Sequence, residues 1–144
     1  MTVKKHPTCN YLFVYGTLRR NSTSELCQLL KNHADFILGA CYQGKLYLID
    51  DYPGAVASNN PTDKVQGEVY FLHNPPFVLS QLDVYEECSF EFTQPTEYIR
   101  EIKPVQLANG KTIPAWIYTY NFSTENLKII ASGDFLTIEQ STTL

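Results

Sequence analysis

Apolar and polar positions along the chain alternate between two periods, one of about two residues and one of about three and a half. Residues 11–15, Tyr-Leu-Phe-Val-Tyr, are aromatic or β-favouring throughout and stop at Gly16, which reads as a buried strand running into a turn. From Ser22 to Asn32 the leucines Leu26, Leu29 and Leu30 recur at helical spacing, with Ser22, Thr23 or Ser24 available as N-cap. Residues 35–49 are strand-like around Gly39 and Gly44, and the cluster from Asp50 to Gly54 reads as a turn, with Pro53 fixing φ and Gly54 able to take a positive one. After a loop from Ser58 to Asp63, Val65 to Leu72 is a strand. Asn74 and Pro75 form a helix start, and the helix is expected to run to about Glu87. Tyr98 to Leu107 and Thr112 to Tyr120 are two strands joined by Asn109-Gly110, the strongest short hairpin signal in the chain. A short apolar piece at Leu127 to Ile130 and a Ser-Gly-Asp turn at 132–134 close the pattern. At least five strands and two helices in mixed order predict an α+β fold, and 144 residues suit a single domain spanning 1–144.

Composition narrows the function classes. The charged fraction of 18% and the apolar fraction of 44% are those of a globular protein. A formal charge of −4 leaves no basic footprint for nucleic acid or an anionic membrane. No apolar run nears the ~20 residues that cross a bilayer, and no signal-type stretch follows Met1 to Asn10, so a cytoplasmic location is expected. Cys9, Cys27, Cys41 and Cys88 are scattered; two disulfides are arithmetically open, but free thiols are expected in that compartment. His6, His33 and His73 have no ligand partner at i+3 or i+4, so no metal site is expected.

Two places suit chemistry. At Val14-Tyr15-Gly16-Thr17-Leu18 a strand ends in a residue without Cβ, which lets a small anionic group approach backbone N–H groups, although an ordinary tight turn reads the same way. In the helix from Pro75, Leu79, Leu82 and Glu86 share a face, so Glu86 points inward near the helix C-terminus. Desolvation and the helix dipole then both raise its pKa, which suits proton transfer near neutrality; the alternative is a helix-end carboxylate bonded to a Tyr or Arg. Asp83 and Glu87 are expected on other, solvated faces. Arg100 is expected either to pair with a carboxylate of protein or ligand or to lie on an edge strand. Trp116, Tyr118 and Tyr120 share one strand face, as core or as cleft wall.

Taken together, Phe13-Val14-Tyr15-Gly16-Thr17-Leu18-Arg19 and Leu82-Asp83-Val84-Tyr85-Glu86 resemble the signature loop and the catalytic-glutamate run of the γ-glutamylcyclotransferase-like family, which includes the AIG2-like proteins. The resemblance continues through Tyr52-Pro53-Gly54-Ala55, Gly67-Glu68-Val69-Tyr70, Tyr98-Ile99-Arg100, Ala115 to Tyr120 and Ser132-Gly133-Asp134-Phe135, in the family's order. The chain departs from the pattern at Glu87, where the family often has Gly. The resemblance implies a small mixed β-barrel flanked by helices and cyclisation of a γ-glutamyl amide to 5-oxoproline, with release of an amine or amino acid. It implies Glu86 as the catalytic acid/base, and Tyr15, Gly16, Thr17, Leu18, Pro53, Gly54, Arg100 and Tyr118 as substrate-binding. Backbone N–H groups of the Gly16 loop would hold either the oxyanion or the substrate's α-carboxylate. The reaction needs no metal or cofactor, and the implied partner is a small γ-glutamyl compound. A non-catalytic metabolite-binding protein of the same fold is the alternative.

Overall fold

The computed structural model describes residues 9–16, 25–85 and 95–136. Its elements are β1 (Tyr11–Val14), α1 (Glu25–His33), β2 (Ala34–Leu48), β3 (Pro53–Ala57), β4 (Lys64–Leu72), α2 (Pro75–Tyr85), β5 (Tyr98–Leu107), β6 (Thr112–Tyr120) and β7 (Lys128–Ile129). Five of the strands close on themselves in the cyclic order β2-β4-β1-β6-β5, with β2 meeting β5 at Ala40↔Leu107 and Cys41↔Gln106. Four of the five pairings are antiparallel and β1–β6 is parallel, so the barrel is mixed. This is the small barrel with flanking helices that the resemblance implies.

β2 serves two sheets because it is 15 residues long. Its first part pairs with β4, with a bulge between Phe36 and Leu38 that bends the strand. Beyond Gly44 it pairs with β3 and β7 instead. The hairpin between β5 and β6 turns at Asn109-Gly110, where Gly110 takes φ 93°, as the sequence pattern requires.

β1 is buried on both faces, which explains an unbroken apolar run where a half-exposed strand would alternate. Phe13 and Tyr15 point into the barrel with Val65, Val69, Ala115 and Ile117. Leu12 and Val14 point outward, into a second core with Leu30 of α1, Val78, Leu79 and Leu82 of α2, and Tyr98 and Tyr118. α2 begins as expected: Asn74 Oδ1 accepts from the Phe77 amide at 3.3 Å and Pro75 follows the cap. Cys9, Cys27 and Cys41 are free thiols.

One expectation is corrected. Pro53 and Gly54 are not turn residues; they open β3, paired with Leu48 and Tyr47. The turn is confined to the residues before them, where the Ile49 amide donates to the Tyr52 carbonyl at 2.9 Å. Gly54 is present for space: a Cβ there would come within 2.8 Å of Tyr120 Cβ and 3.0 Å of Ile49 Cδ1.

Gly67 tests the barrel's closeness of fit, since a Cβ on it would overlap the Val14 carbonyl and stand 2.6 Å from Phe13 Cζ. Gly67→Ala should lower the unfolding free energy by about 2–3 kcal/mol, seen as a lower urea midpoint at unchanged m-value. Gly110→Ala, with open space around it, should cost only about 1 kcal/mol, the backbone penalty alone.

Candidate active site

Of the residues singled out from the sequence, Tyr15, Gly16, Pro53, Gly54 and Tyr118 come together where β1 ends. Tyr15 lies inside the barrel, only 6% exposed. Its hydroxyl donates to the Tyr118 carbonyl at 2.5 Å and accepts from the Ala55 amide at 3.1 Å, so one phenol ties the end of β1 to β6 and to β3. With its side chain thus engaged, Tyr15 presents only main chain to a ligand. Gly16 follows, packed so closely on Pro53 that a Cβ would meet the ring at 3.1 Å. The Pro53 carbonyl accepts from the Tyr98 hydroxyl at 2.6 Å. Gly16 is therefore seated on the Pro53 ring while buried hydroxyls fix the main chain of β3 at Pro53 and Ala55, a rigid corner of the sort that preorganised binding needs.

α2 reaches this corner from outside the barrel. Leu79 and Leu82 are buried, as the helical spacing predicts. Asp83 is not solvated as expected. Its side chain is 18% exposed, Oδ1 accepts from Arg100 Nε at 2.7 Å, and Oδ2 accepts from Arg100 Nη2 at 3.0 Å. The Tyr118 hydroxyl also donates to Oδ1, at 2.6 Å. Arg100 in turn lies 4.3 Å above the centroid of Trp116. The helical wheel failed here because it places a residue relative to the helix and not to the neighbouring strand: β5 and β6 project Arg100, Tyr118 and Trp116 from one face towards α2. Glu86, the expected acid/base, and Thr17, Leu18 and Glu87 lie outside the described residues.

Two carboxylates border the corner that pattern reading did not single out. Glu68 of β4 is 7% exposed and stands across from Val14, with the Tyr70 hydroxyl 3.4 Å from its Oε1. Glu97 accepts from the Tyr52 hydroxyl at 2.8 Å. Burial first, then the bond to Glu97 and its charge, push the Tyr52 phenol well above its usual range, so it stays a donor. Burial, then Glu97, raises Tyr120 likewise. The period-2 pattern of β5 contained a signal for part of this, since it places Tyr98 and Arg100 on one face.

A family model described as "Gamma-glutamyl cyclotransferase, AIG2-like" matches residues 12–137. The chain belongs to that family. A relative from Escherichia coli K12, the γ-glutamylcyclotransferase family protein YtfP, is 36% identical over 126 residues, covering 87% of this chain and 95% of its own. Among solved structures, an AIG2-like protein from mouse superposes with a TM-score of 0.65 at 25% identity, over 83% of this chain and 84% of that one. YkqA from Bacillus subtilis gives 0.68 at 25% identity over 93% of this chain, which spans 42% of YkqA.

Family membership makes the Asp83 cluster a matter of architecture as well as chemistry, because Asp83 belongs to the same Leu-Asp-x-x-Glu run as Glu86. Removing Asp83 takes from a partly buried guanidinium and a phenol the carboxylate they share. Asp83→Ala should therefore cost about 2 kcal/mol. Asp35→Ala, which breaks only the exposed contact to His73, should stay within about 0.5 kcal/mol of zero. Chemical denaturation of both variants measures the difference.

Proposed function

We propose that this chain is a γ-glutamyl cyclotransferase, acting on a γ-glutamyl amide with Glu86 as acid/base. The observation that carries the reading is convergence within a chain of this family. Main chain at Tyr15 and Gly16, Pro53-Gly54, and the Arg100–Asp83–Tyr118 cluster under the end of α2 meet at one end of the barrel.

In this reading the substrate's α-amine nitrogen attacks its own γ-carbonyl carbon. A C–N bond forms, closing a five-membered ring, and the original amide C–N bond breaks. Glu86 takes the proton that the attacking amine loses and returns one to the departing amine. Both reacting groups belong to one molecule, so holding the folded conformer supplies much of the acceleration. Amides of the Gly16 loop, Thr17 and Leu18 included, stabilise either the carbonyl oxygen as it gains charge or the α-carboxylate. Gly54, packed on Tyr120 and Ile49, keeps the start of β3 close in beside them. Tyr118 and Arg100, both engaged by Asp83, contribute as the wall that fixes the helix end. The reaction calls for no redox or Lewis-acid step.

Purified protein should release 5-oxoproline from at least one of three classes: γ-glutamyl amino acids, γ-glutamylamines or glutathione. Glu86→Gln should lower kcat by about 10²–10⁴-fold, the usual contribution of a general acid/base. Folded wild type that forms no product from any of them but binds 5-oxoproline supports the non-catalytic alternative. Equal product from wild type and variant removes Glu86 from the mechanism.

A further inference from the structure

Glu68 is a deeply buried carboxylate that the proposed reaction does not use. Val65 and Val69 of β4 point into the barrel, so alternation places Glu68 on the opposite face, with Tyr70 and Leu72, where the helices pack. It is 7% exposed, and the Tyr70 hydroxyl lies 3.4 Å from its Oε1. Its neighbours across the sheet are Val14 of β1 and Gly39 of β2. A Cβ built on Gly39 would meet only the Gly67 carbonyl, at 3.9 Å, so there is room beside Glu68 for a long side chain. Burying a carboxylate is costly unless a cation sits against it, and a single neutral hydroxyl offsets little of that cost.

The chain that leaves β1 brings two cations to this place. Val14 stands directly opposite Glu68, and Gly16 is the second residue beyond it. Arg19 and Arg20, which lie outside the described residues, are the third and fourth residues after Gly16. Extended chain covers at most about 14 Å over four residues, so both guanidiniums stay close to the end of β1. The other cations have different surroundings. Arg100 is held by Asp83 and stacked on Trp116, Lys103 lies 3.9 Å from Glu101, and His73 pairs with Asp35. The remaining described lysines are exposed.

We propose that Glu68 is a positioning residue for the Gly16 loop: it takes a guanidinium of the Arg19-Arg20 pair and so sets where the Thr17 and Leu18 amides stand. Its effect on turnover rests on the cyclotransferase reading above. A guanidinium can meet both oxygens of a carboxylate at once, which fixes direction as well as distance. Pro53 already seats Gly16 from the side of β3, and Glu68 holds the continuing loop from the side of β4. Amides that meet a developing charge need such a hold, since a misplacement of about 1 Å can cost about a hundredfold in rate.

Double-mutant cycles pairing Glu68→Gln with Arg19→Gln and with Arg20→Gln test the anchor, read by 5-oxoproline release and by the Gly16 backbone amide resonance. Glu68→Gln should lower kcat/KM about tenfold or more, and one arginine variant should match it. Their double variant should lose no more than about twofold beyond the worse single, because both changes remove one interaction. The Gly16 amide should shift in the same direction in both singles. The pH profile of kcat/KM should keep its wild-type shape in Glu68→Gln, since Glu86 carries the proton. Should Glu68→Gln not fold, Glu68→Asp, one methylene shorter, replaces it in the cycle with the same coupling expected. Losses that multiply in both double variants, a Gly16 amide unmoved by the change at Glu68, or a pH profile that loses a limb overturns the positioning role and leaves the cyclotransferase reading standing. Absence of 5-oxoproline from every γ-glutamyl compound overturns that reading alone, because the Gly16 amide still reports the anchor.

Discussion

The Tyr15 hydroxyl is the contact on which the rest of the site depends. It sits at the end of a strand buried on both faces, and it bonds main chain of two other strands, at Ala55 of β3 and Tyr118 of β6. Among the described residues, β3 has its strand pairing with β2 alone. That phenol links the end of β1 to β3, and together with the Tyr98 hydroxyl on the Pro53 carbonyl it holds Pro53-Gly54 beside Gly16. A phenol suits the role because its ring belongs to the barrel core while its oxygen can donate and accept at once.

The two cores divide the labour. Inside the barrel, Phe13, Val65, Val69, Ala115 and Ile117 make a rigid cylinder from strands that alternate inward and outward. Outside it, α1 and α2 cover Leu12, Val14, Tyr70 and Tyr118. The candidate site lies at the seam between these layers, so its groups come from strand ends, from the outer face of β5 and β6, and from the end of α2. The partly buried Asp83–Arg100 pair is better understood in this setting as a fixed joint between helix and sheet than as a source of stability. Desolvation offsets much of what such a pair contributes, whereas breaking it is costly.

Much of this was legible in the chain itself. The two periods located β1, α2, β5 and β6 to within a residue or two, and Asn109-Gly110 and Asn74-Pro75 marked a hairpin and a helix start because each has a specific backbone requirement. The short β3 was not legible. Pro53-Gly54 has the composition of a turn, and only pairing with Tyr47 and Leu48, distant in kind from any local preference, makes it a strand. Asp83 was misplaced for the same reason: its surroundings are set by Arg100 and Tyr118, 17 and 35 positions away. Glu97 escaped because a single acid before a strand carries no pattern of its own. The joint resemblance of several short stretches located the family, which pattern reading alone does not reach.

The central claim is that the corner between Gly16 and Pro53-Gly54 binds the γ-glutamyl group. Titrating isotope-labelled protein with 5-oxoproline, and following backbone amide resonances, tests it most directly. The account predicts saturable shifts at Gly16, Gly54 and Ala55, with Gly110, in the exposed turn of the β5–β6 hairpin, unmoved. Shifts confined to the hairpin or to the α1 surface, with Gly16 and Gly54 unchanged at saturation, would contradict it.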